Sequence, residues 1–315
     1  MNNSAKFIRI LDQIEYAPVS SKVEEIIHAS IRKSVSQLGK TGEKAVIRYI
    51  CSMYGLSEKE LLTNFDLFEK AITDALGPMA SKIILSLVKK EILRRAVLND
   101  PGWTIEEIKN PDLSIREIIS RISYEDIRRC VRGIPVHSHS VCLYETTKFR
   151  DLVISSHFEN GRPSNISRFY ISEDKPNIEI PKELNHIPYK QISDKPSQMV
   201  RNIFDLIKMS GYSDKSPEGF KVLKIAEEDA GWWLRNGFEE ELQILEELLG
   251  RELEENVSIM CAFDVSKLSN KEIELIIPNI MRNHKFIITE VPLGLYTPLT
   301  HTFLRNELSD ESTLK

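Results

Sequence analysis

The chain is poor in the residues that most often announce a chemistry. Its four cysteines, Cys51, Cys130, Cys142 and Cys261, are scattered over 315 residues with no C-x-x-C pair. Cysteine-built metal knots need close pairs, and a disulfide scaffold needs a shorter, denser chain, so the thiols read as reduced and buried. Glycine is scarce too, with 13 in all and none from Ile134 to Asn160. That gap spans "YETTKFRD", the turn where a strand hands over to a helix. A phosphate cradle needs glycines there, so that backbone N–H groups can close on the anion, and Lys148 alone does not rebuild one. No G-x-G-x-x-G follows any strand and no G-x-S-x-G elbow is present, which argues against dinucleotide binding and serine-hydrolase chemistry. No apolar run approaches the roughly 18 residues that cross a bilayer. The N-terminus lacks a basic segment followed by an apolar one, so no signal peptide and a cytoplasmic location are expected.

What is present divides the chain. Residues 1–135 carry 21 Lys/Arg against 18 Asp/Glu, and residues 136–315 carry 21 against 29, within a net charge of −5. A nucleic-acid binder concentrates a basic patch, and the slight excess in the first half is too thin for one. In "KVEEIIHASIRKSVSQLG", Val23, Ile26, Ile27, Ile31, Val35 and Leu38 recur at helical spacing, and Gly39 stands where a C-terminal cap belongs. "SEKE" (Ser57 to Glu60) is a capping box, and Asn64 caps a helix that Gly77-Pro78 stops. "ASKIILSLVKKEILRRAV" closes the set, with Ile83, Ile84, Leu87, Val88, Ile92 and Val97 expected inward. A helical bundle is therefore expected over 1–100. A helical connector follows over 101–135, with two further short helices expected, "SIREIISRI", boxed by Ser114 and Glu117, and "SYEDIRRCVRG", ending on Gly133.

From residue 136 strands alternate with helices. "SVCLY", "ISRFYIS", "FKVLKIAE", "ENVSIMCAFDVSKL" and "KFIITEVP" read as strands, the last of them final. Helices lie between, and "GFEEELQILEELLGREL" carries Leu242, Leu245, Leu248 and Leu249 on its apolar face. Such alternation implies right-handed crossovers and a mainly parallel sheet covered on both faces. Residues 172–197, with four prolines, read as a long exposed excursion, and the last dozen residues as a frayed tail. "HSH" (His137 to His139) offers two imidazoles without a third ligand and reads as a solvated loop. Trp232 and Trp233 follow an acidic loop, where they pack on a helix or wall a pocket. A helix-turn-helix plan in "YICSMYGLSEKELLTNFDLFEKAI" is set against Glu58, Glu60 and Asp66, which lie where phosphates would approach.

The order of "HSVCLYET", "FENG", "RFYIS", "FKVLKIAEEDAGWWLRNGFEEELQILEELL" and "VSIMCAFDVSKL", with His284 before the last strand, resembles the MEDS domain. This is the sensory domain shared by methanogen proteins and the methylotroph dichloromethane regulator DcmR. The resemblance spans about residues 136–296. It implies a RecA/KaiC-like α/β sheet without a phosphate loop, and a non-catalytic module that binds a small molecule. The 172–197 excursion and the helical N-terminal half depart from the family pattern.

The expectations are then specific. An α/β sensor over 136–315 binds a small apolar or weakly polar ligand at the carboxyl ends of its strands. Tyr144, Glu145, Glu227, Asp229, Trp232, Trp233, Cys261 and Asp264 line that site. Asp264 is first a cap and Cys261 a packing thiol, and no metal, cofactor or catalytic residue is expected. The helical half signals by dimerising or by docking a protein. A DNA-binding regulator and a ligand-free interaction scaffold are the alternatives.

Overall fold

The computed structural model describes residues 16–18, 22–100, 102–159, 166–173, 184–189, 222–251, 257–269, 271–275, 283–293 and 297–305, with isolated residues between 198 and 205. The chain divides into two compact units, one of residues 20–126 with 292–299, the other of 1–19, 127–291 and 300–315. The expected connector over 101–135 is thus shared between them, and the division falls within a helix.

The described residues within 20–126 of the first unit are helical, while the helical span expected over 1–100 fails at Tyr16–Pro18, a strand of the other unit. Helices α1 (Lys22–Val35), α2 (Gly39–Tyr54), α3 (Glu58–Thr63), α4 (Phe65–Asn99), α5 (Ile105–Lys109) and α6 (Ile115–Arg132) follow one another through short turns, and α6 runs on past the unit's end. The two short helices expected in the connector are joined into one, α6. Their ends are set by the residues the sequence marks. Ser57 Oγ accepts from the Glu60 N–H at 3.2 Å while the Glu60 carboxylate accepts from the Ser57 N–H at 2.8 Å, so two otherwise unpaired donors are satisfied together. Asn64 Oδ1 accepts from the Leu67 N–H at 3.0 Å. Gly77, at φ 76°, breaks α4 with a conformation that costs other L-residues, and Pro78 opens the second half at a position needing no N–H donor. Val23, Ile27, Ile31, Ile50, Leu61, Phe68, Ile72, Val88 and Ile92 fill the core. Ile83, expected inward, is exposed, because the helix restarts after Gly77 with Ser81, Ile84 and Val88 on its inner face. By length and composition α4 is also apolar enough to cross a membrane, contrary to expectation, although its buried residues belong to this core.

The second unit is α/β. Strands β2 (Ser138–Tyr144), β3 (Ile166–Ser172), β4 (Leu184–Pro188), β5 (Val222–Glu227), β6 (Val257–Asp264) and β7 (Phe286–Leu293) form a parallel sheet in the order β7-β2-β6-β5-β3-β4. The first parallel strand is therefore central. Beyond β7 the edge continues with β8 (Thr297–Arg305) and β1 (Tyr16–Pro18), which pair antiparallel. Two expectations are corrected here. β7 is not the final strand, and the 172–197 excursion contributes β4, with the Tyr189 side chain buried directly after it. The rest of that excursion and the helix expected over "QMVRNIFDLIKMSG" lie almost wholly outside the described residues.

Every described residue of β2 and β6 is buried, as central strands of a parallel sheet covered on both faces are. One face carries Val141, Leu143, Ile225, Ile259 and Phe263. It packs under α8 (Gly231–Arg235) and α9 (Glu239–Arg251) through Trp233, Leu242, Leu245 and Leu249. The other face packs under α7 (Thr147–Glu159), whose Phe149, Val153 and Phe158 are buried.

Candidate functional site

The carboxyl edge of the sheet is polar, and its key turn is already occupied. The Glu290 carboxylate on β7 accepts from the backbone N–H groups of Glu145 (2.9 Å) and Thr146 (2.8 Å) and from the Thr146 hydroxyl (2.6 Å). These donors open α7, where a phosphate would sit in a nucleotide-binding sheet. The protein's own carboxylate takes that anion position, and it complements the helix dipole. Thr146 also caps α7, its hydroxyl accepting from the Phe149 N–H.

Around this turn the expected residues fall into two groups, because side chains alternate across a strand. Tyr144 and Asp264 are register partners and point to the α7 face. The Tyr144 hydroxyl donates to the Glu228 carbonyl at 3.2 Å, and Arg150 pairs with the Glu228 carboxylate, which also accepts from Tyr170 at 2.7 Å. Burial, with Asp229 and Asp264 close by, pushes the Tyr144 phenol well above its ordinary pKa, so it stays a donor. Asp264 is a cap as expected, accepting from the Ser266 N–H and hydroxyl and pairing with Lys267 at 2.8 Å. Asp229 pairs with Arg235 at 2.6 Å.

Glu227, Trp233 and Cys261 belong to the other face. Glu227 is buried and accepts from Tyr189 Oη at 2.5 Å and Trp233 Nε1 at 2.8 Å. Trp232 is half-buried and stacks on Tyr189 with ring centroids 4.5 Å apart, at right angles to Trp233. The adjacent tryptophans thus serve different partners, one closing the core and one lying over it.

Deeper on this face four side chains converge that sequence reasoning left apart. His139 of β2, Glu246 of α9, Cys261 of β6 and His284 just before β7 are all buried, and one donor atom from each lies within 4.8 Å of the others. His139 Nε2 is 3.3 Å from Cys261 Sγ and 3.4 Å from Glu246 Oε2, and His284 Nε2 is 3.3 Å from the same Glu246 oxygen. The two imidazoles lie together, centroids 3.9 Å apart. His139 Nδ1 lies 3.1 Å from the Asn283 carbonyl. Since a carbonyl only accepts, that nitrogen carries the proton and leaves the Nε2 lone pair facing the cluster. Burial lowers the His139 pKa to about 3 and keeps the ring neutral. Burial, and then nearby Glu227, push the Glu246 carboxyl well above its ordinary range.

Two corrections follow. "HSH" is a solvated loop only at its first residue: His137 is exposed, whereas Ser138 and His139 lie on β2 and are buried, His139 at 3% exposure. Cys261 is more than a packing thiol, since it faces an imidazole, and it does not share a face with Asp264. The residues missed were His139, Glu246 and His284. A signal existed for Glu246: Leu242, Leu245, Glu246 and Leu249 occupy the i, i+3, i+4, i+7 positions of one helical stripe, and all four are buried. A carboxylate on an apolar stripe needs a partner in the core.

Fold and site together define an α/β unit with a mainly parallel sheet and a self-filled anion turn, accompanied by an all-α unit. No protein-family model matches the chain, and no curated protein does. Among solved structures it is similar to EccC of Thermomonospora curvata (ATPases 2 and 3), solved in complex with a signal sequence peptide, at 13% identity and a TM-score of 0.33. The match covers 53% of this chain and only 36% of that one, and a likeness of this size carries no functional argument.

Proposed function

We infer that the protein is a non-catalytic cytoplasmic sensor whose α/β unit binds a small molecule at the carboxyl edge of the sheet. The helical unit passes the bound state on by dimerising or by docking a protein partner. The observation that carries this reading is the occupied turn. With Glu290 on the N–H groups that open α7, a nucleotide phosphate would have to displace a buried carboxylate and its three hydrogen bonds. Polar and aromatic groups nonetheless remain gathered at that edge: Tyr144, Tyr170, Arg150, Glu228 and Asp229. The resemblance of residues 136–296 to the MEDS domain supports the same role.

The test is a thermal-shift screen of the full chain against small metabolites and one-carbon or halogenated compounds, because a ligand of the native state stabilises it by mass action. A saturable shift that Tyr170→Phe weakens is expected. The absence of any shift sinks the sensory reading and leaves the interaction scaffold. Measurable ATP turnover overturns the non-catalytic assignment. A gel shift that persists at moderate salt would move the role to the DNA-binding alternative.

A further inference from the structure

We propose that His139, Glu246, Cys261 and His284 form a closed, four-coordinate site for a divalent transition ion, with zinc the best fit, in the core of the α/β unit. This proposal is independent of the sensory reading.

Distances carry it first. Zinc takes imidazole nitrogen and carboxylate oxygen at about 2.0–2.2 Å and thiolate sulfur at about 2.3 Å, which puts tetrahedral donors roughly 3.3–3.6 Å apart. Three of the six donor pairs, His139–Cys261, His139–Glu246 and His284–Glu246, lie at 3.3, 3.4 and 3.3 Å, and all six fall within 4.8 Å. Donor chemistry agrees, since two nitrogens, a sulfur and an oxygen make the mixed set that zinc accepts, whereas calcium and magnesium seek oxygen alone.

The second observation is an unmet need. Glu246 Oε2 is buried and lies between two ring nitrogens, yet it makes no hydrogen bond. Buried polar atoms are almost always satisfied, and a group left over marks a missing partner. A cation on this oxygen supplies it. The charges balance as well, because two neutral imidazoles, a thiolate and a carboxylate offset a divalent cation. A neutral centre suits a desolvated core better than an isolated charge does.

Support from outside the ligand set is present. The Asn283 carbonyl fixes the His139 ring so that Nε2 faces inward, the usual arrangement around a metal-bound histidine. The ligands come from β2, β6, α9 and the segment entering β7, so an ion would tie four separate parts of the chain together. With four protein donors and no exposed face, the site leaves no position for a reacting water, which makes it structural rather than hydrolytic.

The experiment uses the full chain, purified under reducing conditions with any affinity tag removed, and refolded with zinc or with chelator. Elemental analysis should find near-stoichiometric zinc, and the zinc-refolded protein should melt several degrees higher. Cobalt(II) added to the metal-free chain should give visible bands of tetrahedral intensity and a near-ultraviolet thiolate-to-cobalt band. Cys261→Ser should abolish the thiolate band, and His284→Gln should lower the metal content. Cys142→Ser, a buried cysteine on the opposite face of the sheet, should change neither. Wild-type protein that takes up neither ion and melts identically in zinc and chelator overturns the site. So does metal retained by both Cys261→Ser and His284→Gln. Should a variant fail to fold, the cobalt titration and the melting comparison on the wild type decide alone.

Discussion

The two faces of the parallel sheet both bury ionisable side chains, and they treat them in opposite ways. Under α7, the charged groups named so far have partners, although the neutral His157 imidazole leaves its Nε2 without a hydrogen bond. Lys224 Nζ donates to the His157 carbonyl at 2.5 Å and Arg168 Nε to the Phe158 carbonyl at 3.0 Å, so two cations satisfy the C-terminal end of the helix. Glu290 satisfies its N-terminal end. Both ends thereby complement the helix dipole, worth roughly 0.3–1 kcal/mol per charge at a surface and up to about 2 kcal/mol when partly buried. Under α9, four donors converge and a carboxylate oxygen is left without a hydrogen bond. Buried charge that is matched by backbone is architecture. Buried donors that point at one another are a site.

Breaking either side of this comparison gives measurable results, and the largest concerns the apolar packing under α8 and α9. Trp233→Ala removes a fully buried indole and one donor to Glu227. It should cost about 3–5 kcal/mol in chemical denaturation. Trp233→Phe keeps most of the volume and should cost about 1–3 kcal/mol, the penalty for a buried acceptor losing its partner. A cost for Phe as large as for Ala would show that the hydrogen bond, not the packing, dominates.

On the α7 side, Glu290→Ala strips three hydrogen bonds from the helix start and should destabilise by about 1–3 kcal/mol. Glu290→Gln, able to accept but uncharged, should recover part of it. An unchanged melting temperature for both would mean that water replaces the carboxylate without loss.

The pH dependence probes the α7 face more finely. Burial, and then nearby Arg168, lower the Lys224 pKa to about 8 from 10.5. Between these values the unfolded chain binds more protons than the folded one, so stability rises with pH. The gain should be about 1 kcal/mol from pH 7 to 9, before the raised pKa of the Cys142 thiol levels the slope. Lys224→Met should flatten this segment; an unaltered slope would assign it to another group. His157 works at the acid end. Burial, and then Lys224, lower its pKa to about 3, so the unfolded chain takes up a proton below about pH 6.5 that the folded chain refuses. Stability attributable to His157 is present above that pH and is lost as pH falls. His157→Gln should reduce the acid sensitivity of the wild type, and an identical acid transition would place the cause elsewhere. The smallest effect expected is Asp264→Asn, which keeps an acceptor for Ser266 and loses only the pairing with the exposed Lys267 amine. It should cost well under about 1 kcal/mol.

Some of this was legible in local sequence. Ser57 with Glu60, Asn64 and Gly77 set helix ends through bonds that span three or four residues, so their pattern is enough. "ISRFYIS" matches β3 and "VSIMCAFD" matches β6, because strands of a parallel sheet covered on both faces are predominantly apolar. β4 escaped notice because an edge strand of five residues beside prolines carries little apolar signal. Ile83 was misread because the break at Gly77 shifts the helical phase after it.

The candidate site divides along the same line. The edge position of Tyr144, Glu227, Asp229 and Asp264 follows from strand ends, which sequence marks. Their separation onto two faces follows from the two-residue period of a strand, which was available but needs the register to be applied. Composition and periodicity thus determined an α/β unit, an all-α unit and the missing phosphate loop, because each depends on neighbours along the chain. Only the tertiary structure placed Glu290 on the start of α7, 144 residues away from Thr146, and brought Cys261 to His139 across 122 residues. Such contacts form where strand order and helix crossovers return distant segments to one point in space, and no local pattern encodes that return.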